Sequence, residues 1–282
     1  MKFGIHLSTF TKEWSEDVFK YLTLVKNYGY DGVEFPLMAP EEFDVKKAKK
    51  LLKENGLICT CGTGLNPSID ISSADLQIRK NGIEHLKKCI DICNELESDV
   101  LGGVLYAPWG QFKTRTEGKE DIKRSLEALN QMGEYGKKRG VVLALEILNR
   151  YETYFLNTVN EGKEYLKRIN SEHVKLHFDT FHSNIEETNM YSAIVEGNKD
   201  IHHIHFCENN RGIPGTGSID WKKVKQSLNY IGYDRWITIE NFVMPNCGVG
   251  KDVYIWRNIQ QDGNTAAREG IKFMRKLFGE VK

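Results

Sequence analysis

The sequence has no long apolar run and no excess of charge of either sign. Among its 282 residues, Lys plus Arg and Asp plus Glu both number 39, so the formal net charge is zero. Nucleic acids and anionic membranes attract basic surfaces, so this balance disfavours both as main partners. No stretch reaches the roughly 18 apolar residues that a membrane span requires. These absences favour a small, neutral or modestly charged ligand as the main partner.

The sequence also lacks the features of a signal peptide and the cysteine spacing of a zinc ribbon. The first ten residues, MKFGIHLSTF, lack the apolar core and the small-residue cleavage site of a signal peptide. We therefore expect a cytoplasmic protein, in which thiols stay reduced. The six cysteines do not have the spacing of a zinc ribbon, and we expect free thiols at positions 59, 61, 89, 93, 207 and 247.

Short apolar runs alternate with amphipathic segments from one end of the sequence to the other. The runs predict strands at 2–8, 32–35, 57–62, 99–106, 141–147, 174–179, 201–206 and 236–241. Helical patterns follow, the clearest at 15–28, 44–54, 74–96, 119–139 and 265–278. Eight strand–helix units of about 30 residues without a linker predict the α/β class, as a single (β/α)8 TIM barrel. We expect one domain over residues 1–282.

Two other architectures with repeating units fit the sequence less well. An open doubly wound sheet is the first alternative, but no GxGxxG or GxxxxGK[ST] motif follows any predicted strand. Leucine-rich repeats also alternate short elements, but they need a short fixed leucine period that is absent here. The barrel in turn requires its functional groups to lie at the C-terminal ends of the strands.

Four polar residues lie at or near the ends of four consecutive predicted strands. Glu146, Asp179, His205 and Glu240 follow or interrupt the apolar runs of strands five to eight. A buried charge is costly unless it is paired or binds a metal. Three carboxylates and one imidazole suit a hard divalent cation, so we expect Mn²⁺ first, with Co²⁺ or Mg²⁺ as alternatives. A buried hydrogen-bond network without metal is the competing interpretation.

The segments just beyond these strands carry groups that suit a hydroxylated substrate. Glu152, His182 and Arg211 follow strands five, six and seven, and together they offer donors and acceptors for sugar hydroxyls. Each of them alone could equally be a surface charge.

Further polar or aromatic residues lie in or directly after the predicted strands. His6 is in the first strand, and Trp109 follows the fourth and could form a wall against a sugar ring. His203 shares a strand face with His205, whereas His202 points the other way. The roles of His203 and of Glu34, at the end of the second strand, stay open.

Several of these segments together resemble the D-tagatose 3-epimerase/D-psicose (allulose) 3-epimerase family of the xylose-isomerase-like barrels. The matching segments are ALEILNRYE, FDTFHSNIEE, HIHFCENNR, PGTG followed by W, and IEN with a downstream VYIWRN. The resemblance implies that Glu146, Asp179, His205 and Glu240 bind the metal and that Glu152, His182 and Arg211 bind the O1–O3 end of a ketose. Relatives in this family are often dimers or tetramers, so we expect a homodimer or homotetramer.

The sequence departs from the family pattern at two positions near the site. Asn241 stands where proline commonly follows the last glutamate, and His6 stands where an aromatic residue such as tyrosine is usual. Gly62 and Thr63 occupy the third-strand region that in this family contacts the far end of the sugar. These differences leave the preferred ketose open.

The resemblance predicts a metal-dependent epimerisation of free ketoses at C3. The proton alpha to the C2 carbonyl is removed, a cis-enediolate forms, and a proton returns on the opposite face. Glu146 and Glu240 would serve as base and acid, while Asp179 and His205 would be metal ligands only. The alternatives are an aldose–ketose isomerase on the same barrel, an AP-endonuclease-like hydrolase, which would need a basic DNA-facing surface, and a non-catalytic sugar-binding barrel.

Overall fold

Eight parallel strands close into a barrel in chain order in the computed structural model, which describes residues 1–279. The last three residues of the predicted domain, 280–282, lie outside the described residues. The strands are β1 Lys2–His6, β2 Gly32–Pro36, β3 Ile58–Leu65, β4 Val100–Pro108, β5 Val142–Glu146, β6 Val174–Asp179, β7 Ile201–Phe206 and β8 Trp236–Ile239. Pairing of β1 with β8 completes the ring. The (β/α)8 prediction is confirmed.

Helices follow the strands and cover the outside of the barrel. They are α1 Leu22–Tyr28, α2 Val45–Asn55, α3 Leu76–Glu95, α4 Lys119–Lys137, α5 Val159–Leu166, α6 Thr180–Glu186, α7 Met190–Gly197, α8 Trp221–Tyr230, α9 Gly248–Asp252 and α10 Gly263–Phe278. Several begin at an acidic residue whose side chain accepts a free backbone N–H, as Asp75 does for α3 and Asp262 for α10. Among residues 1–279, none of these helices is both long and apolar enough to cross a membrane.

The first predicted helix, 15–28, begins later than expected. A 3-10 turn at Val18–Tyr21 precedes α1, which starts only at Leu22. The Asp17 side chain accepts the backbone N–H of Phe19 and caps this turn, so residues 15–17 stay outside it. Before the predicted helix, the Trp14 indole donates to Asp252, and the backbone N–H of Val249 donates to the carbonyl of Lys12.

Alternation along β7 separates apolar residues on the outside of the barrel from imidazoles in its interior. On β7, Phe206 packs outward against Trp221 of α8 and Phe278 of α10, whereas His203 and His205 point into the barrel. His202 is buried beside Arg235, with 3.5 Å between its Nε2 and an arginine Nη1. The prediction that His202 and His203 point to opposite sides is therefore confirmed.

Glycines leave room along the barrel axis for large side chains. A Cβ on Gly32 would lie 2.2 Å from the carbonyl oxygen of Ile58 and 2.6 Å from the Trp236 ring, and one on Gly4 would lie 2.9 Å from Thr238 Oγ1. A Cβ on Gly102 would lie 3.3 Å from His177 Nδ1. Trp236 therefore fills the lower part of the barrel, and imidazoles occupy the layer above it.

We expect Gly32→Ala to destabilise the protein by about 3 kcal/mol or more, because the new methyl group overlaps backbone that cannot move freely. Gly4→Ala is the matched comparison, since its methyl group meets a side-chain hydroxyl and the cost should be smaller. Denaturant unfolding of the two variants measures the difference. Equal stability of Gly32→Ala and the unsubstituted protein would contradict this account of the packed barrel axis.

Candidate metal and substrate site

All four predicted ligands converge at the C-terminal end of the barrel. One ligand atom each from Glu146, Asp179, His205 and Glu240 lies within 4.8 Å of the others. Glu146 and Asp179 are the last residues of β5 and β6, His205 is the last but one of β7, and Glu240 directly follows β8. The eighth strand was expected to reach residue 241, but it ends at Ile239.

The imidazole of His205 faces the three carboxylates with one nitrogen. Its Nδ1 lies 3.5 Å from Glu240, 3.9 Å from Asp179 and 3.9 Å from Glu146. This nitrogen is buried and has no hydrogen-bond partner among the described residues. A buried nitrogen without a partner, surrounded by carboxylate oxygens, is the donor set that a hard divalent cation prefers. The residues present therefore fit a metal ion.

The charges of this cluster are incompletely balanced by the protein itself. Burial and the neighbouring Glu240 raise the pKa of Glu146 well above its usual value. Burial would also raise the pKa of Glu240, but the charges of His205 and Arg211 outweigh it and lower that pKa. Burial raises the pKa of Asp179 as well. A cation placed among these groups would favour their ionised forms.

Arg211 supplies positive charge beside the predicted ligands. Its Nη1 lies 2.9 Å from a Glu240 oxygen and 3.4 Å from an Asp179 oxygen. Burial disfavours its charge, but these two carboxylates raise the pKa of Arg211 above its usual value. Arg211 has a φ of 67°, in the left-handed region that costs a non-glycine residue about 1–3 kcal/mol. The surrounding contacts hold it in this conformation.

Asn241 is one of those contacts. Its side-chain amide donates to the carbonyls of Arg211 and Gly212, at 3.2 and 2.5 Å. Asn241, which stands where proline is common in the family, therefore anchors the loop that carries Arg211. Glu208, another buried residue of that loop, accepts N–H groups from Gly215, Ile219 and the Trp221 indole.

Glu152, His182 and Arg211 form one connected polar group beside the cluster. The backbone N–H of Asn149 donates to His182 Nδ1 at 3.1 Å, and the Asn149 side chain donates to Glu152 at 2.9 Å. Burial and Arg211 lower the pKa of His182 well below its usual value, which favours the neutral ring. Arg211 Nη2 lies 3.0 Å from Nε2 of this ring. A ligand oxygen at this point would accept from the guanidinium of Arg211.

These side chains surround a pocket at the C-terminal end of the barrel. Eight of the nine site residues predicted from the sequence line it: His6, Trp109, Glu146, Glu152, His182, His205, Arg211 and Glu240. The ninth, Asp179, is fully buried behind them. The structure therefore brings the predicted residues together, while their individual roles stay predictions.

Trp109 lies across the third strand at one side of the pocket. A Cβ on Gly64 would lie 2.9 Å from its ring, so only glycine allows the indole to lie so close to the strand. The next residue, Gly110, donates its backbone N–H to the carbonyl of Glu152 at 2.7 Å. The loop that carries Trp109 is thus tied to the loop that carries Glu152.

Comparison with known proteins assigns the chain to a family. A family model described as the xylose isomerase-like TIM barrel matches residues 22–277. The D-psicose 3-epimerase of Enterocloster bolteae is 33% identical, over 99% of this chain and 96% of its own length. The ketose 3-epimerase of Arthrobacter globiformis is 32% identical, over 100% of this chain and 98% of its own length. The chain belongs to the ketose 3-epimerases of this barrel family.

A solved structure agrees with this membership. The D-allulose 3-epimerase from Methylomonas sp., crystallised in complex with D-allulose, superposes with a TM-score of 0.92 at 30% identity. The match covers 98% of this chain and 96% of that one. The resemblance stated from the sequence motifs is confirmed, and as a ketose 3-epimerase the protein is an enzyme of the isomerase class.

Sequence reasoning missed or left open several residues of this ketose 3-epimerase site. Glu34, predicted to end β2, is the third of its five residues and points into the barrel, where its carboxylate meets the imidazoles of His203 and His205. His177 lies in the same layer, and both its ring nitrogens are buried without a partner among the described residues. Its position two residues before Asp179 was the available signal, because alternate residues share a strand face.

Proposed function

We propose that this protein epimerises free ketoses of the D-tagatose, D-psicose, D-fructose or L-ribulose type at C3, through a cis-enediolate and with a bound divalent cation. The observation that carries the proposal is the convergence of three carboxylates on the free Nδ1 of His205 at the wall of a pocket. Relatives named D-psicose 3-epimerase and L-ribulose 3-epimerase support the substrate class.

Glu146, Asp179, His205 and Glu240 would hold the cation. When bound there, it would supply Lewis-acid polarisation of the substrate carbonyl. The donor set of three oxygens and one nitrogen favours Mn²⁺, with Co²⁺ or Mg²⁺ as alternatives.

Glu146 and Glu240 would exchange the proton at C3. They extend from β5 and β8, which β6 and β7 separate, so they approach the pocket from different sides. Their surroundings shift the two pKa values in opposite directions, upward for Glu146 and downward for Glu240. A pair of carboxyl groups whose pKa values differ can act as one acid and one base. Reversal of the reaction would exchange these roles.

Glu152, His182 and Arg211 would bind the O1–O3 end of the ketose. The guanidinium of Arg211 donates beside the imidazole of His182, and Glu152 offers acceptor oxygens next to them. His6 and Trp109 lie at other parts of the pocket wall, where they would contact the rest of the sugar. Trp109 offers an aromatic surface for the apolar face of the ring.

The compartment and the assembly are also proposals. All six cysteines are free thiols and five of them are buried, which suits a reducing cytoplasm. Tyr151 and Trp256 line one groove and are 67% and 70% exposed, so a homodimer or homotetramer would give them an apolar partner surface. Light scattering on the purified protein would measure the assembly.

We expect Mn²⁺-loaded protein to convert a ketose to its 3-epimer in D2O with deuterium incorporated at C3. D-fructose, D-tagatose and L-ribulose should be tested in parallel and followed by NMR, which also ranks the substrates. Formation of an aldose with label at C1 or C2 would instead assign aldose–ketose isomerisation. No exchange with any of these ketoses in the presence of metal would reject the proposed substrate class.

A further inference from the structure

Glu34, a buried carboxylate below the predicted metal ligands, has no role in the proposed mechanism. It lies in the middle of β2 and is 1% exposed. Its Oε1 lies 2.7 Å from Nε2 of His205 in a hydrogen bond. That nitrogen is on the opposite side of the imidazole from Nδ1, which faces the carboxylate cluster. Glu34 and the cluster therefore contact the two nitrogens of the same ring.

The other oxygen of Glu34 is contacted from the neighbouring β3 and, across the barrel, from β7. Thr60 of β3 donates its hydroxyl to Oε2 at 2.6 Å, and Nε2 of His203 on β7 lies 2.6 Å from the same oxygen. A Cβ on Gly62 would lie 3.4 Å from Oε1, so the absence of a side chain there leaves space for the carboxylate. With both oxygens engaged, the carboxylate has little freedom to rotate.

The contact with Glu34 determines which nitrogen of the His205 ring carries a hydrogen. A carboxylate accepts hydrogen bonds, so the nitrogen that faces Glu34 must carry a hydrogen. When the imidazole is neutral, the lone pair is then on Nδ1 and is directed at Glu146, Asp179 and Glu240. A metal-binding histidine commonly donates its other N–H to a carboxylate, which fixes its tautomer and orientation.

We propose that Glu34 is the positioning residue that holds His205 with Nε2 protonated and Nδ1 directed into the carboxylate cluster. The hydroxyl of Thr60 holds Glu34 in turn. The inference rests on the proposed function, in which His205 is a metal ligand. It explains why a carboxylate lies deep in the barrel beside imidazoles. Glu34 also borders the pocket, but its two oxygens are already engaged by the protein.

Two substitutions of Glu34 separate hydrogen bonding from charge. Glu34→Gln keeps an oxygen that can accept from His205 Nε2, whereas Glu34→Leu removes the acceptor. Loss of such a partner typically lowers metal affinity about 10–100-fold. We therefore expect a loss in this range of Mn²⁺ affinity for Glu34→Leu and a loss below about 10-fold for Glu34→Gln. Calorimetric titration of metal-depleted protein with Mn²⁺ gives the dissociation constants.

Thr238→Val is the matched control. Thr238 is fully buried in the interior of β8, and its hydroxyl has no hydrogen-bond partner in the part of the chain that the structure describes. The substitution keeps the shape of the side chain in the same region of the barrel, so Mn²⁺ affinity should not change. The absorption spectrum of Co²⁺-loaded protein adds a readout of ligand geometry, and Glu34→Leu should change it.

A second readout tests the position of His205 without any metal. In protein labelled with ¹⁵N-histidine, we expect a slowly exchanging hydrogen on His205 Nε2 in the unsubstituted protein and its loss in Glu34→Leu. Retention of both this hydrogen and the Mn²⁺ affinity in Glu34→Leu would overturn the inference. Equal losses of Mn²⁺ affinity in the Gln and Leu variants would assign the effect to charge and overturn it as well.

Two further results distinguish this inference from the proposed function. An increase of KM with an unchanged Mn²⁺ dissociation constant would make Glu34 a direct substrate contact and reject the positioning role. If the unsubstituted protein binds no Mn²⁺, the metal assignment of the proposed function fails. The NMR readout on metal-free protein then still decides whether Glu34 positions His205.

Discussion

Glu146→Gln and Glu240→Gln are each expected to lower kcat for epimerisation by about 10³-fold or more, while the fold is retained. General acid–base catalysis by one positioned side chain commonly contributes about 10²–10⁴-fold. Glutamine has nearly the same shape as glutamate but cannot accept or return a proton at C3. Each substitution also removes a charged ligand, so kcat should be measured at saturating Mn²⁺, after the Mn²⁺ dissociation constant of each variant is known.

Isotope exchange makes the same pair of variants more informative. With one proton-transferring group on each side of the substrate, a variant that retains only one of them can still exchange the C3 hydrogen of one epimer. In D2O we expect each variant to incorporate deuterium into only one of the two epimers, and the two variants to differ in which one. Exchange into both epimers by either variant would contradict the assignment of one glutamate to each face.

Glu186→Gln is a matched control for these variants. Glu186 is the last residue of α6 and is not among the residues that line the pocket. Its side chain is 5% exposed and pairs with Arg150 at 2.9 Å. It is a largely buried glutamate with an ion-pair partner, and its substitution should leave kcat close to that of the unsubstituted protein. Circular dichroism of all three variants would verify that the fold is retained.

The part of the site that could be predicted from the sequence is the part set by position along each strand. Asp179 and His205 follow apolar runs, and the C-terminal ends of parallel strands meet at one face of a barrel. Local pattern was sufficient there, because the strand supplies both the position and the direction of the side chain. The same reasoning placed Glu146 and Glu240 on that face, although β8 ends one residue before Glu240.

The contacts between distant segments could not be predicted in this way. Glu34 and His205 are 171 positions apart, and the depth at which two strands pair depends on the stagger of the closed barrel. Asn149 reaches His182 from a loop, where no regular repeat fixes the direction of a side chain.

Removal of divalent cations is expected to abolish epimerisation and to lower the thermal stability of the protein. Three carboxylates lie together in a buried site, and His205 and Arg211 balance them only in part. A cation that binds the folded protein alone stabilises it by about 4 kcal/mol at 1,000 times its dissociation constant. Mn²⁺ or Co²⁺ should restore activity to chelator-treated protein better than Zn²⁺, which prefers thiolates and imidazoles in a four-coordinate site.

Calorimetric melting of chelator-treated protein, with and without added Mn²⁺, measures this stabilisation. Asp179→Asn should lose most of the Mn²⁺-dependent increase in Tm, because Asp179 offers a ligand oxygen in the cluster and does not transfer protons in the proposed mechanism. Glu186→Gln should keep the full increase, since its carboxylate is outside the cluster. Full activity after exhaustive chelation would refute the metal role, and a Tm that does not respond to Mn²⁺ would show that the four side chains form a metal-free network.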